Sequence, residues 1–197
     1  MNSNKFINKS NSKPILDWIL KSKNRKKYIT EEPEHGGHVV ARDHLHSEPK
    51  ELVEGKFPFK ELFNIADEIK DIYNLPDDTP IEPNYGFLIC YSTSGHRVHE
   101  HMDANFNADG DDSEDLPHDY LGDVIHVRFN VLISKPEVGG NPVIEDKEYK
   151  VKENEVWRCM AGIHEHYTTT TLGEKPRVLL SFGYFINVDD AKEKGWY

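Results

Sequence analysis

Hydrophobic and polar residues follow a helical period in the part of this chain before residue 80. Between residues 58 and 74 the apolar side chains recur every three or four positions, so they share one face of an amphipathic helix. The same period in residues 14–26 predicts a shorter helix, and Ser12 and Pro14 are residue types that favour a helix start. The longer apolar stripe consists of Phe59, Leu62, Phe63, Ala66, Ile69 and Tyr73.

After residue 85 the period changes from helical to extended. Apolar segments with the length of strands occupy residues 85–91, 124–134, 142–144, 149–151, 156–161 and 177–186. A further short strand is expected around Val39–Ala41, within residues 31–55 that otherwise have the Pro, Gly and His content of a loop. About eight short strands without helices between them are typical of an antiparallel sandwich or barrel.

These patterns predict a mainly β fold, a double-stranded β-helix (jelly roll, cupin-like) with N-terminal helices packed on one face. A jelly roll fits because its mouth gathers side chains from strands that are far apart in sequence. At 197 residues the chain has the length of one domain. Residues 1–80 are expected to form a helical support region, residues 81–188 the jelly-roll core with any catalytic site, and residues 189–197 a polar tail.

The strand predicted over residues 124–134 has two different faces. One face is wholly apolar and the other is polar and partly cationic, which predicts that the second face lines a site. The alternative interpretation is an ordinary strand with its polar face in solvent. The apolar face consists of Val127, Phe129, Val131 and Ile133, and the second face consists of His126, Arg128, Asn130 and Leu132.

The composition argues against several classes of protein. The net charge of −11 disfavours a nucleic-acid partner, because phosphate neutralisation needs clustered Lys and Arg. No apolar run approaches the roughly 20 residues that span a membrane, and residues 1–6 have no apolar signal-peptide region. An intracellular, cytoplasmic protein without a membrane partner is therefore expected. Its two cysteines, Cys90 and Cys159, lie in apolar runs and are expected to be buried and reduced.

Candidate chemistry is concentrated in residues 95–103, which contain three histidines and two acids. His101 and Asp103 are two residues apart, so in an extended chain their side chains point to the same face. One imidazole nitrogen and one carboxylate oxygen can then bind a single ion. A third ligand from a distant strand would complete the 2-His-1-carboxylate arrangement of non-haem Fe(II) sites that handle O2.

A third ligand and an anion-binding residue are expected near the last strand. His164 and His166 have the same parity and are both candidates for the third ligand. Arg177 opens the last apolar run, and a guanidinium that enters the interior is costly unless it meets an anion. Arg can hold a carboxylate through two parallel hydrogen bonds. Ser181 shares the face of Arg177 and could add a hydroxyl donor.

Parts of the sequence are compatible with other functions. His96, His99 and His101 have a spacing that could bind zinc in a hydrolytic, cupin-like protein, but this leaves Arg177 unexplained. The acidic residues 104–122 lack the glycine position and the closing Glu of a calcium loop, so a solvated lid is expected there. A non-catalytic jelly-roll binding module is a further alternative.

The order of the candidate residues along the chain resembles that of a known superfamily. His101-Met102-Asp103, a late His within His164-Glu165-His166, and Arg177 beyond it are similar to the motifs of the Fe(II)/2-oxoglutarate-dependent dioxygenases. Within that superfamily, Cys90-Tyr91 and Tyr184-Phe185 look most like the prolyl hydroxylase branch. The resemblance covers roughly residues 85–187.

This resemblance implies an iron site and a reaction. His101, Asp103 and His166 would bind Fe(II), and His166 is preferred over His164 because its spacing to Arg177 is nearer the usual one. The reaction would hydroxylate a C–H bond of an amino acid, peptidyl residue or small acid with O2, releasing succinate and CO2. An acid at position 103, where a halogenase needs room for chloride, favours hydroxylation.

The resemblance also implies how the cosubstrate is bound. Arg177 would hold the distal carboxylate of 2-oxoglutarate, and Tyr91, Asn130 and Ser181 would contact the same molecule. Arg128 on the inward face could pair with a substrate carboxylate, which favours a free amino acid or small acid. The likeness to prolyl hydroxylases favours a peptidyl substrate instead. The oligomeric state does not follow from the sequence.

Overall fold

The computed structural model describes residues 5–28, 30–32, 38–41, 50–82, 86–103 and 124–196. The helices in these ranges are α1 (Lys9–Leu20), α2 (Ser22–Tyr28), α3 (Lys50–Glu54), α4 (Phe59–Tyr73) and α5 (Val188–Glu193). The strands are β1 (Thr30–Glu32), β2 (His38–Ala41), β3 (Phe87–Ser92), β4 (Val124–Ser134), β5 (Pro142–Ile144), β6 (Lys147–Glu148), β7 (Val156–Cys159), β8 (His166–Thr168) and β9 (Arg177–Asn187). The predicted lid at residues 104–122 lies outside the described residues. None of the described helices has the length and apolar content to cross a membrane.

The strands form two antiparallel sheets, which confirms the prediction of a mainly β fold with N-terminal helices. The larger sheet has the order β1-β2-β3-β9-β4-β7, and the smaller sheet has the order β6-β5-β8. Strands β4 and β9 pair along almost their whole lengths, with a register shift between Leu132 and Ser134. The centre of the larger sheet is therefore its longest and most regular part.

Helices α1 and α4 cover one face of the larger sheet. The apolar stripes of both helices are buried there, as their helical period predicted, and they pack in one core with alternate residues of the central strands. Burying each large apolar side chain stabilises the fold by about 1.5–3 kcal/mol, so this layer anchors β4 and β9. Core residues with 0% exposure include Ile15, Leu62, Ile69, Phe129, Leu180 and Tyr184.

The first helix begins earlier than the sequence predicted. It starts at Lys9 because Asn8 caps it, with the Asn8 side chain accepting a hydrogen bond from the backbone nitrogen of Ser10 at 3.0 Å. Pro14, which was predicted to open the helix, lies inside it. An Asn cap satisfies one of the amide groups left free at a helix start, and this local bond outweighs the preference of Pro for the first position.

Three other elements differ from the predicted ones. Residues 149–151 are not a strand, and the short strand β6 precedes them. Strand β8 was not predicted because its three residues, His-Tyr-Thr, carry no apolar alternation. The C-terminal region that was predicted to be a polar tail contains α5, whose Ala191 is buried, and Trp196 packs its ring 5.7 Å from that of Tyr73.

The two sheets enclose a cavity on the side away from the helices. The larger sheet contributes side chains of β3, β4 and β9, and the smaller sheet contributes those of β5 and β8. The cavity holds ≈ 630 Å³ including its open mouth. Arg128 and Asn130 of β4 line this space, whereas Val127 and Phe129 lie in the core. Two of the four residues on the predicted second face therefore line the cavity, while His126 and Leu132 are not among its lining residues.

Gly139, in the turn before β5, lies against the backbone of another segment. Its φ angle is +71°, and a Cβ atom there would come within 1.8 Å of the carbonyl oxygen of Thr170. We expect Gly139→Ala to lower the free energy of unfolding by about 3 kcal/mol or more, because backbone strain and overpacking add together. Gly95→Ala is the matched control, since Gly95 has a φ of +90° with nothing within 4 Å and should lose about 1–2 kcal/mol. Urea denaturation measures both, and equal losses would contradict the predicted clash.

Candidate metal centre

Three side chains converge at the cavity: His101, Asp103 and His166. Their ligand atoms all lie within 4.8 Å of one another. Nε2 of His101 is 3.5 Å from Oδ1 of Asp103, and Nε2 of His166 is 3.6 Å from the same oxygen. Within the described part of the chain, no other set of three His, Cys, Asp or Glu side chains has this spacing. Two imidazoles and one carboxylate are the donor set that the sequence predicted.

Backbone pairing brings these ligands together from distant parts of the chain. The amide of His101 donates to the carbonyl oxygen of His166 at 3.1 Å, and the amide of His166 donates back to His101 at 2.9 Å. The amide of Asp103 donates to the carbonyl oxygen of Ala161 at 2.9 Å. His166 opens β8, which pairs with β5, so the smaller sheet fixes the position of the late ligand. The side chains of His101 and Asp103 then face the same space, as their spacing predicted.

Both imidazole rings are oriented by bonds to backbone carbonyl oxygens. Nδ1 of His101 lies 2.7 Å from the carbonyl oxygen of His99, and Nδ1 of His166 lies 3.0 Å from that of His164. A carbonyl oxygen only accepts, so each Nδ1 carries a proton, and Nε2 of each ring is the nitrogen beside Asp103. Hydrogen bonding of the second ring nitrogen is how proteins orient metal-binding histidines.

The other histidines near this centre are directed elsewhere. Nδ1 of His164 lies 2.7 Å from Oε1 of Glu145, and His164 is not among the residues that line the cavity. Nδ1 of His96 lies 2.9 Å from the hydroxyl oxygen of Thr93. His99 is exposed and belongs to no group of converging ligands in the described ranges. The geometry therefore favours His166 over His164, and it does not assemble the zinc site considered for His96, His99 and His101.

Burial and charge act in opposite directions on the carboxyl group of Asp103. Burial raises its pKa, but the hydrogen bond with His101 and the charge of Arg128 outweigh it, so the pKa lies well below the usual range. The same hydrogen bond with Asp103 raises the pKa of His101, and burial lowers the pKa of His166. At neutral pH, Asp103 is thus ionised and His166 neutral, which are the protonation states that metal binding requires.

Arg177 places a positive charge inside the same cavity. It is 1% exposed, and its Nε donates to the carbonyl oxygen of Gly140 at 2.8 Å. Its Nη1 is buried and has no hydrogen-bond partner among the described residues. Burial lowers the pKa of Arg177 to about 10, so the guanidinium stays charged at neutral pH. A buried cation with an unused donor is a binding position for an anion that enters the cavity.

Two of the three residues predicted to accompany Arg177 line the cavity. Asn130 and Ser181 both do, and they are Cα partners on adjacent strands. Tyr91 does not, because its side chain lies in the core that the helices cover, while Cys90 lines the cavity. The prediction for Tyr91 is therefore wrong. The run around Tyr91 is apolar throughout, so the sequence does not indicate which alternate residues of the strand face the site.

Arg128 lines the cavity as predicted, but oxygen atoms of the protein surround its guanidinium. Its Nε donates to Oδ2 of Asp103 at 3.0 Å, and its Nη2 lies 3.8 Å from Oε2 of Glu82. Glu82 has 0% exposure and was not identified from the sequence, because an acidic residue in a turn-rich segment predicts a surface position. His126 is also buried, with Nδ1 3.7 Å from Oδ2 of Asp103, and burial lowers its pKa to about 3.

These residues fit Fe(II) and 2-oxoglutarate together. Two imidazole nitrogens and one carboxylate oxygen are the protein donors of non-haem Fe(II) sites with open positions. Arg177, which carries a donor without a partner in the described residues, lines the same cavity as this donor set, as an anionic cosubstrate that reaches the ion requires.

The fold is similar to those of solved prolyl hydroxylases. A prolyl hydroxylase from Trichoplax adhaerens, in complex with a hypoxia inducible factor peptide fragment, has a TM-score of 0.59 at 15% identity, over 98% of this chain and 84% of that one. A Pseudomonas putida prolyl-4-hydroxylase has a TM-score of 0.55 at 12% identity, over 92% and 88%. The viral collagen prolyl hydroxylase of Paramecium Bursaria Chlorella virus-1, a 2OG complex, has a TM-score of 0.54 at 12% identity, over 92% of each chain.

At the level of the fold, these likenesses confirm the resemblance to the prolyl hydroxylase branch. No protein-family model matches the sequence, and no curated protein matches it.

Proposed function

We propose that this protein is an Fe(II)- and 2-oxoglutarate-dependent dioxygenase that hydroxylates a C–H bond, built on a double-stranded β-helix. This proposal rests on one observation: a set of three metal-binding side chains and a buried arginine line the same cavity. The ligand atoms of His101, Asp103 and His166 lie within 4.8 Å of one another, and Arg177, whose buried Nη1 has no hydrogen-bond partner among the described residues, lines the same cavity. The fold shared with prolyl hydroxylases supports the same reaction class.

Each group of residues has a defined task in this reaction. The metal ligands His101, Asp103 and His166 hold Fe(II) and leave coordination positions open for cosubstrate and O2. When bound, iron and 2-oxoglutarate supply the oxidation of the substrate C–H bond by O2, with succinate and CO2 as coproducts. Arg177 binds the carboxylate of 2-oxoglutarate that is remote from the metal, and it thereby orients the keto acid end.

Other cavity residues provide polar contacts for the cosubstrate and an apolar lining around it. Asn130 and Ser181 provide polar groups beside Arg177, and they face each other across the β4–β9 pair. Trp157, Val143 and Leu179 give the cavity an apolar lining that excludes water from the reacting groups. Polar donors on one strand pair within apolar walls are typical of small-molecule sites.

The substrate belongs to one of three classes: free amino acids, peptidyl residues or small acids. The likeness to prolyl hydroxylases, one of which was solved with a peptide fragment, favours a peptidyl residue. An acid at position 103 supplies an oxygen ligand, and this favours hydroxylation over halogenation.

Reconstitution of the metal-free protein tests the proposed function. We expect succinate to form from 2-oxoglutarate only when Fe(II) and O2 are both present, and Zn(II) should not replace Fe(II) because zinc has no redox chemistry. A screen of amino acids, proline-containing peptides and small acids should then identify the compound that raises the rate. Zinc binding without any Fe(II)-dependent succinate would favour the cupin-like zinc protein. Absence of both metal binding and turnover would favour the non-catalytic binding module.

A further inference from the structure

The two oxygen atoms of the Asp103 carboxylate have different surroundings. Oδ1 faces the metal site, 3.5 Å from Nε2 of His101 and 3.6 Å from Nε2 of His166. Oδ2 accepts a hydrogen bond from Nε of Arg128 at 3.0 Å and lies 3.7 Å from Nδ1 of His126. A charge-assisted hydrogen bond of this length fixes both the rotation of the carboxylate and the identity of the oxygen that remains for a metal.

The surroundings of Arg128 hold its guanidinium in this position. Nη1 donates to the carbonyl oxygen of Gly86 at 3.4 Å, and Nη2 lies 3.8 Å from the carboxylate of Glu82. Glu82 has 0% exposure, and a buried carboxylate is stable only with a partner of opposite charge. The charge of Arg128 is therefore balanced on both sides, by Glu82 and by Asp103.

Gly183 provides the room for this arrangement. It is the Cα partner of Arg128 across the β4–β9 pair. A Cβ atom at Gly183 would lie 3.1 Å from Nη1 of Arg128, 3.2 Å from Cβ of Glu82 and 3.2 Å from Nε2 of His126. Any larger residue here would push against the guanidinium, so the absence of a side chain leaves Arg128 free to extend toward Asp103.

We propose that Arg128 is a positioning residue that restricts Asp103 to binding the metal through one oxygen, Oδ1. This inference rests on the proposed function, because it assigns a task within the same iron site. With Oδ2 held by Arg128, the carboxylate occupies one coordination position instead of two, and the other positions stay open. Arg128 consequently does not recognise a substrate carboxylate, which corrects the role expected for it from the sequence.

Co(II) binding to the purified metal-free protein tests this proposal without turnover, because the visible spectrum of Co(II) reports its coordination geometry. We expect Arg128→Met to weaken Co(II) binding by about 10–100-fold, the usual effect of losing a residue that orients a ligand, and to change the spectrum. Arg128→Lys keeps the positive charge but replaces the planar guanidinium with an ammonium group, which cannot fix the carboxylate in the same orientation. It should therefore change the spectrum as well. Arg128→Met combined with Glu82→Gln removes both charges together. This double variant avoids leaving the buried Glu82 carboxylate without the charge of Arg128, which could destabilise the single variant.

The matched control is Arg158→Met. Arg158 lies on β7 in the same sheet, and its guanidinium is stacked 4.7 Å from the ring centre of Trp196, outside the cavity lining. This variant should bind Co(II) with the wild-type affinity and spectrum. The same wild-type behaviour in Arg128→Met or in the double variant would overturn the proposal. Failure of the wild-type protein itself to bind Co(II) or Fe(II) would overturn the proposed function, and the role of Arg128 with it.

Discussion

Replacing His166 by alanine is expected to abolish Fe(II)-dependent succinate formation, with a loss of more than about 100-fold. Loss of a residue that merely orients a ligand typically costs 10–100-fold, so loss of the ligand itself should exceed that range. Nε2 of His166 is one of the two imidazole nitrogens beside Oδ1 of Asp103, and no other histidine in the described residues is placed to substitute for it. Calorimetric titration with Fe(II) under anaerobic conditions, together with a succinate assay, measures the effect.

His164→Ala is the matched control for this variant. His164 is two residues away in the same segment, but its Nδ1 lies 2.7 Å from the carboxylate of Glu145 instead of facing Asp103. Because substitutions at partly exposed positions usually change free energies by at most about 0.5 kcal/mol, iron affinity should stay within roughly twofold of the wild-type value. Loss of iron in His164→Ala with retention in His166→Ala would reverse the assignment of the late ligand.

Replacing Arg177 by methionine is expected to raise the KM for 2-oxoglutarate by about 30-fold or more. Truncating one partner of a buried, hydrogen-bonded charge pair costs about 2–5 kcal/mol, and each 1.4 kcal/mol corresponds to tenfold in affinity. Since the contact is to a carboxylate remote from the reacting atoms, most of the effect should appear in KM and less in kcat. Succinate formation at a series of 2-oxoglutarate concentrations separates the two parameters.

The same variant should not destabilise the protein when 2-oxoglutarate is absent. Without an anion, Arg177 is a buried cation with an unused donor, and replacing such a group by an apolar side chain of similar size is often neutral or stabilising. Thermal unfolding in the absence of 2-oxoglutarate is therefore expected at or above the wild-type temperature. Arg158→Met serves as the control for KM, because its side chain does not line the cavity. Marked destabilisation of Arg177→Met, with an unchanged KM, would show that Arg177 is only structural.

The sequence predicted the ligand set because its signals are local or lie in long strands. His101 and Asp103 share a face through their spacing, and Arg177 stands out as a cation at the start of an apolar strand. Parity does not separate His164 from His166, and the sequence favoured His166 only through its spacing to Arg177. Tertiary pairing separates them in space, since the bridge between His101 and His166 places the ring of His166 beside Asp103, while the ring of His164 lies beside Glu145.

The sequence failed where burial contradicts residue type. Glu82 is fully buried, although its segment has the composition of a surface turn, and only the fold brings it to Arg128. Arg128 therefore looked like an unpaired cation available to a substrate. Tyr91 was assigned to the wrong face because one face of its strand packs under the helices and the other lines the cavity. Both faces are therefore apolar, and the sequence shows no alternation of polar and apolar residues that would distinguish them.

The reciprocal backbone bonds between His101 and His166 link the candidate metal centre to the integrity of the smaller sheet's edge. Each residue is both a candidate ligand and the hydrogen-bond partner of the other, so local opening of this edge would break two backbone bonds and separate the donor set in one event. An ion that binds only the closed arrangement stabilises it by mass action, as a removable cross-link would. Closure of this edge and binding of the ion would then be linked equilibria, in which the free ion concentration sets the fraction of molecules with the edge closed.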